Sequence, residues 1–239
     1  MSRHPRRVQL ALGYILHHQP YRDTSRILEV FTREHGRLTL FARGVRGPKA
    51  RLSAVLQPFQ PLWLSWAGRS EAAQLTAAER AFPETLLPPA ALLACFYLNE
   101  LLIKLTTRDD PHPQLYDAYH RTLQRFAAAE GLERPLRLFE KRLLEEVGYG
   151  LDTAPAQGIE SSAYYCYRPG EGLARAAASS PGAVPGSSVA SLAAERLASA
   201  PELEDARTLL AAALAQALEG RELSTRVVAR SIARRGARS

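Results

Sequence analysis

Cysteine is scarce: the 239-residue chain has two, Cys95 and Cys166. That excludes a disulfide framework and a four-cysteine zinc site, and both thiols are expected to be reduced and buried in a reducing cytosol. No apolar run approaches the roughly 20 residues that a membrane-spanning helix needs. The leader MSRHPRR followed by VQLALGYIL imitates a secretion signal, but no small-residue cleavage site follows. It is therefore read as a basic leader and a first β-strand. Catalytic signatures are also missing. There is no G-x-S-x-G elbow, no H-E-x-x-H pair and no convincing nucleophile–base pair. GVRGPKA (44–50) lacks the Gly-Lys-Ser/Thr ending of a phosphate-binding loop. His17 and His18 are adjacent, so on a strand they point to opposite faces. Asp109, Asp110 and His112 lie at a helix start, where capping explains them. A non-enzymatic protein with no metal and no cofactor is expected.

Acidic residues are missing from one stretch. From Gly36 to Ser70 there is no Asp or Glu, yet there are six cations: Arg37, Arg43, Arg46, Lys49, Arg51 and Arg69. The net charge of +7 is spread unevenly. Residues 1–80 hold 13 Lys/Arg against 5 Asp/Glu, residues 81–206 hold 11 against 17, and residues 207–239 hold 7 against 2. A basic front, an acidic middle and a basic tail suggest surfaces with different partners. The cation-rich stretch is either a solvated surface or a groove that tracks phosphates. In the second case Phe41 shares a strand face with Arg37 and Arg43 and is placed to stack on a base; as a core residue it would not be. The same charge is compatible with single-stranded DNA, RNA or an acidic protein partner.

The apolar spacing divides the chain. Residues 8–17, 25–36, 37–45, the AVLQPFQPLWLSWAG segment and EAAQLTAAERA read as five short strands, the last either a strand or a strand leading into a helix, so a small barrel is expected within about the first 82 residues. In the third strand Leu38, Leu40 and Ala42 face one way; Arg37, Thr39, Phe41 and Arg43 face the other. Trp63 and Trp66 fall on opposite faces of the fourth. From Pro88 the period becomes helical, with Leu92, Cys95, Phe96, Asn99, Leu102 and Ile103 on one face. A second helix, capped by Asp110, and a third over 133–148 follow, and short loops suggest an antiparallel bundle. On the third helix Glu140, Glu145 and Glu146 among Lys141 and Arg142 read as a solvated face with ion pairs one turn apart. SSAYYCYRPGEGLARA (161–176) reads as a β-hairpin, and ASSPGAVPGSS as low-complexity, mobile chain. Helices return at 189–199, 203–219 and 222–235. The last has Leu223, Val227, Val228 and Ile232 on one side and arginines elsewhere, either as a bundle helix or as a second basic surface.

The stretches HHQPYRDTSRILEVFTREHGRLTLFARGVRG (17–47), LQPFQPLWLSW, DPHPQLYDAY and FEKRLLEEVGYGLD (139–152) resemble the RecO family of bacterial recombination mediators. The resemblance implies an α+β protein: a five-stranded OB-fold barrel over 1–82, then an α-helical domain over 83–239 with a hairpin and loop insertion around 155–190. It implies binding of single- and double-stranded DNA, annealing of complementary strands, and work in the cytoplasm and nucleoid with RecR and the single-stranded-DNA-binding protein so that RecA loads. On this view Arg37, Phe41, Arg43, Arg46, Lys49, Arg51 and Arg69 meet DNA. Arg221, Arg226, Arg230, Arg234 and Arg235 form a second basic surface. Lys104, Arg121, Arg125, Arg137, Lys141 and Arg142 are the cations available to dock the acidic tail of the single-stranded-DNA-binding protein. Some family members carry a four-cysteine zinc motif after the segment matching 148–152. Here TAPAQGIESSAYYCY holds Cys166 alone, so the hairpin is expected to replace a metal knuckle.

Overall fold

A computed structural model describes residues 7–46, 51–68, 73–84, 86–151 and 158–236, without the side chains of Arg51 and of 231–236. Lys49 and Arg69 lie outside the described residues, as do the side chains of Arg51, Ile232, Arg234 and Arg235.

Five strands close into a barrel in the order β1-β2-β3-β5-β4. They are β1 (Arg7–Tyr21), β2 (Ser25–Thr32), β3 (Gly36–Ala42), β4 (Leu62–Ala67) and β5 (Ala73–Arg80). The apparent signal segment is thus the first barrel strand. At 15 residues β1 is long enough to serve two neighbours: Arg7–Gly13 pairs with β4, and Gly13–Tyr21 pairs with β2. Gly13 is where the strand changes partner. A Cβ there would sit 3.0 Å from Thr32 Cγ2 and 3.1 Å from Leu64 Cδ1, so a side chain at the crossover would have to push these neighbours aside. Inside the barrel, Ile15, Leu28, Val30, Leu38, Leu40, Leu62 and Leu64 are nearly inaccessible. Each such side chain contributes about 1.5–3 kcal/mol of transfer free energy, so alternation on β2–β4 fixes which face is inner. Trp66 joins this core while Trp63 is only half-buried, as their opposite strand faces require.

Two helices pack on the barrel: α1 (Leu92–Leu105) and α2 (Pro113–Ala127). Asn99 anchors α1, donating to the Leu16 carbonyl (2.8 Å) and accepting from the Tyr119 hydroxyl (2.6 Å). Tyr14, Phe31, Tyr116 and Tyr119 form an aromatic cluster between barrel and helices, with ring centroids 5.0–5.7 Å apart. The Tyr14 hydroxyl lies 2.6 Å from His120 Nδ1. Asp110 does not cap α2, which begins three residues later. Its backbone instead lies against Gly36, whose φ is +67° and whose added Cβ would meet Asp110 O at 2.2 Å. This contact, the Asp109 N–H donated to Arg37 O (2.9 Å) and a bridge from Arg108 to Arg37 make the connector 106–110 a partial extra strand beside β3.

The chain divides into two compact units. The first covers 1–127 and 225–239, including α6 (Ser224–Gly236) apart from its first residue; the second covers 128–224. The expected boundary at 82/83 falls inside the first unit, and the three helices expected to bundle together are shared between the two. The second unit holds α3 (Glu133–Glu146), α4 (Gly186–Ala193), α5 (Ala200–Ala217) and a three-stranded sheet of β6 (Tyr164–Arg168), β7 (Gly172–Ala176) and β8 (Val184–Pro185). The hairpin turns at Pro169–Glu171, as its RPGEG sequence predicts. Its neighbour ASSPGAVPGSS is not a loose linker. Val184 and Pro185 pair with β6, and Gly186 starts a helix where a Cβ would fall 2.0 Å from Glu160 O. The small residues there meet packing demands. Ser199 caps α5 through a reciprocal box with Glu202, a Ser-x-x-Glu spacing visible in the sequence.

Candidate nucleic-acid interface

The outer face of the barrel is built by the β1–β2 turn, the end of β3 and the loop after it. Gly44, at φ +64°, turns the chain back after Arg43. Arg46 then donates its backbone N–H to Thr24 O (2.9 Å) and Nη1 to Arg22 O (3.2 Å), fixing the loop to the β1–β2 turn. Arg22 itself is held at φ +52° and its guanidinium lies 5.2 Å from the centre of the Tyr21 ring. Tyr21 meets Phe41 edge-on at 5.6 Å. The result is a depression lined by Tyr21, Arg22, Asp23, Phe41, Arg43 and Gln74, with Arg46 at its margin. Arg43 and Arg22 are exposed, and among the described residues Arg22, Arg43 and Arg46 have no carboxylate partner. Phe41 is outside the core and forms a wall of the surface depression. A cationic rim around the exposed Tyr21 and the half-buried Phe41 is chemically suited to a polyanion whose units carry flat, stackable rings.

Arg37 does not belong to this surface. It shares the outer face of β3, but the connector 106–110 covers it and leaves it 9% exposed. Its guanidinium pairs with Glu29 and donates to Thr106 O (2.6 Å) and Thr106 Oγ1 (3.2 Å). Glu29 also holds Arg108 (2.9 Å) and accepts from Thr39 (3.0 Å). The acid that seemed absent comes from β2. The three-residue turn at 33–35 sets Glu29 opposite Thr39 and diagonal to Arg37. Arg22, Tyr21 and Arg108 escaped the sequence reading because they lie in a turn with Asp23 and in a distant connector.

The other two cation sets are reshaped. Arg221 donates to the Leu218 and Ala217 carbonyls and so caps α5. Arg226 lies over the Tyr97 ring at 5.8 Å, and Thr225 donates twice to Glu100, attaching α6 to α1. Arg230 is exposed, and so are Val227 and Val228, so this side of α6 is not a buried bundle face. Lys104, Arg121 and Arg125 belong to the first unit, whereas Arg137, Lys141 and Arg142 belong to the second. The latter three are engaged there. Arg137 pairs with Glu140 (2.6 Å), which is 1% exposed rather than solvated; Lys141 pairs with Glu145 and Glu195; Arg142 pairs with Glu145. Lys104 faces Glu100 at 3.8 Å. Burial raises the Cys95 thiol to about 12, which makes it an inert core group. No helix among the described residues is long and apolar enough to cross a membrane.

Comparison with known proteins gives a consistent result. The family profile "Recombination protein O N terminal" matches residues 9–82, and "Recombination protein O C terminal" matches residues 88–226. The chain is 40% identical to the "DNA repair protein RecO" of Thiobacillus denitrificans, covering 95% of this chain and 93% of that one. It is 40% identical to the protein of that name from Methylococcus capsulatus, with 95% of each covered, and 39% identical to that of Ralstonia nicotianae, with 95% and 86% covered. The barrel, the helical region behind it and these matches together place the chain in the RecO family of DNA repair proteins.

Proposed function

We propose that the chain binds single- and double-stranded DNA through the outer face of its barrel and anneals complementary strands without covalent chemistry. The observation that carries this reading is the loop fixed by Arg46, which gathers Arg22, Arg43 and Arg46 around Tyr21 and Phe41 with no ion-paired acid among the described residues. Two strands repel through their phosphates. A basic surface neutralises part of that charge, releases counterions and raises the local concentration of one strand near the other, so no catalytic residue or cofactor is needed. In this reading residues 1–82 supply the DNA-binding part and 83–239 the part that meets proteins. The partners are RecR, the single-stranded-DNA-binding protein and, downstream, RecA. An acidic tail with apolar side chains is matched by the exposed Leu92 and Phe96 on α1, the exposed Val227 and Val228 on the attached α6, and the neighbouring Arg226 and Arg230.

An anisotropy titration of the full chain against single-stranded DNA, single-stranded RNA and duplex, each at two salt concentrations, tests it. Salt-sensitive binding to both DNA forms is expected. Preference for RNA would point to an RNA-binding barrel, and salt-independent or absent binding to a protein adaptor.

A further inference from the structure

Phe41 has two sides. One faces the depression of Arg22 and Arg43. The other faces a second depression with His17, Gln19, Thr39 and Arg108 on its walls and Glu29 between them. The second depression is not part of the basic loop, and its cation comes from the α1–α2 connector, about seventy residues from β3 in the chain.

Resting on the nucleic-acid reading above, we propose that this second depression seats one nucleotide of a single DNA strand, with its base against Phe41 and its phosphate on Arg108. The charge arrangement supports this. Glu29 meets two guanidiniums, so the trio carries one net positive charge. Arg37 is buried and spends its remaining donors on Thr106. The excess charge is therefore displayed by Arg108, whose side chain is 58% exposed while Glu29 holds its Nη2 at 2.9 Å. Glu29 acts as a positioning residue that aims Arg108 and prevents the connector arginine from swinging into solvent. The imidazole of His17, the amide of Gln19 and the hydroxyl of Thr39 offer donors and acceptors for the edge of an unstacked base. Because Phe41 walls both depressions, a strand that leaves Arg43 and crosses the ring enters the depression of Arg108. A base in a duplex would first have to unpair and flip out to enter this seat, which favours the single strand.

The test is fluorescence anisotropy on the full chain with labelled oligo-dT and with a duplex of equal length, across four salt concentrations. Arg108→Ala is expected to flatten the log–log salt slope for the single strand by about 0.7, the increment for one lost single-strand phosphate contact. It should weaken oligo-dT binding more than duplex binding. Arg108→Lys keeps the point charge and should restore the slope. Thermal melting of each variant checks that the fold is intact. An unchanged slope for Arg108→Ala, with a flattened slope for Arg43→Ala/Arg46→Ala, overturns the nucleotide seat and leaves the basic loop standing. Equal losses on both DNAs also overturn the seat, leaving Arg108 as a non-selective phosphate contact. If neither variant moves the slope, the seat and the loop reading fall together.

Discussion

Replacing Arg37 by Ala should damage the fold and spare DNA binding by the basic loop, although the residue lies in the cation-rich stretch. Its guanidinium is almost fully buried and donates twice to Thr106. Removing it strands the Thr106 carbonyl, at a cost of about 1–3 kcal/mol, and also loses the packing of the arginine stem. Breaking a buried ion pair commonly costs about 3–5 kcal/mol because one charge is left alone. Here Glu29 keeps Arg108 and Thr39, so the lower end applies and a total of about 3 kcal/mol is expected. At about 2–4 °C per kcal/mol for a chain of this size, the melting midpoint should fall by about 6–12 °C. The assay pairs thermal melting with anisotropy against oligo-dT well below the transition. The salt slope should fall by no more than about 0.7, the single Arg108 contact, because the buried guanidinium itself meets no phosphate and its loss only leaves Glu29 to neutralise Arg108 alone. A wild-type melt with a flattened slope would refute the reasoning and put Arg37 on the DNA side.

Gly36→Ala should destabilise by about 2 kcal/mol or more, since the position needs a left-handed φ and the new Cβ would collide with Asp110 O; a wild-type urea midpoint would contradict this. Asn99→Ala should cost about 1–3 kcal/mol, because it removes the buried donor of the Leu16 carbonyl and an acceptor of the Tyr119 hydroxyl, and equilibrium denaturation measures it. Glu202 is held down to about 2 by the Ser191 hydroxyl first and then by the Ala198 and Ser199 N–H groups. A carboxyl depressed on folding stabilises above its ordinary range and loses that contribution as pH falls through its folded value. Glu202→Gln should therefore be less stable than wild type at neutral pH, and the gap should close towards about pH 2; a gap that stays constant in urea melts would remove Glu202 from the α5 cap.

The alternation of β3 was legible because its period is short and its inner side chains are all apolar. Most helices were legible to within a few residues because Leu and aromatic side chains recur every three to four positions; α4, expected over 189–199, instead spans Gly186–Ala193. What escaped was set by distance along the chain. Nothing near Arg37 announces Thr106, and a cation beside glycines reads as surface until a connector covers it. Glu29 was within reach, since a three-residue hairpin turn fixes the diagonal. Glu140, Lys141 and Glu145 read as a solvated face because their spacing on α3 fits ion pairs. The burial of Glu140 depends on the rest of the second unit. Pro185 and Gly186 resembled linker chain because small residues mark both loose segments and close approaches, and only the position of Glu160 separates the two.

The account depends on Arg22, Arg43 and Arg46 facing a phosphate backbone together. The most direct measurement is the salt dependence of oligo-dT binding for the triple alanine variant, with melting as the control for folding. Three lost single-strand contacts should reduce the log–log slope by about 2. A slope equal to wild type in a folded variant would contradict the account.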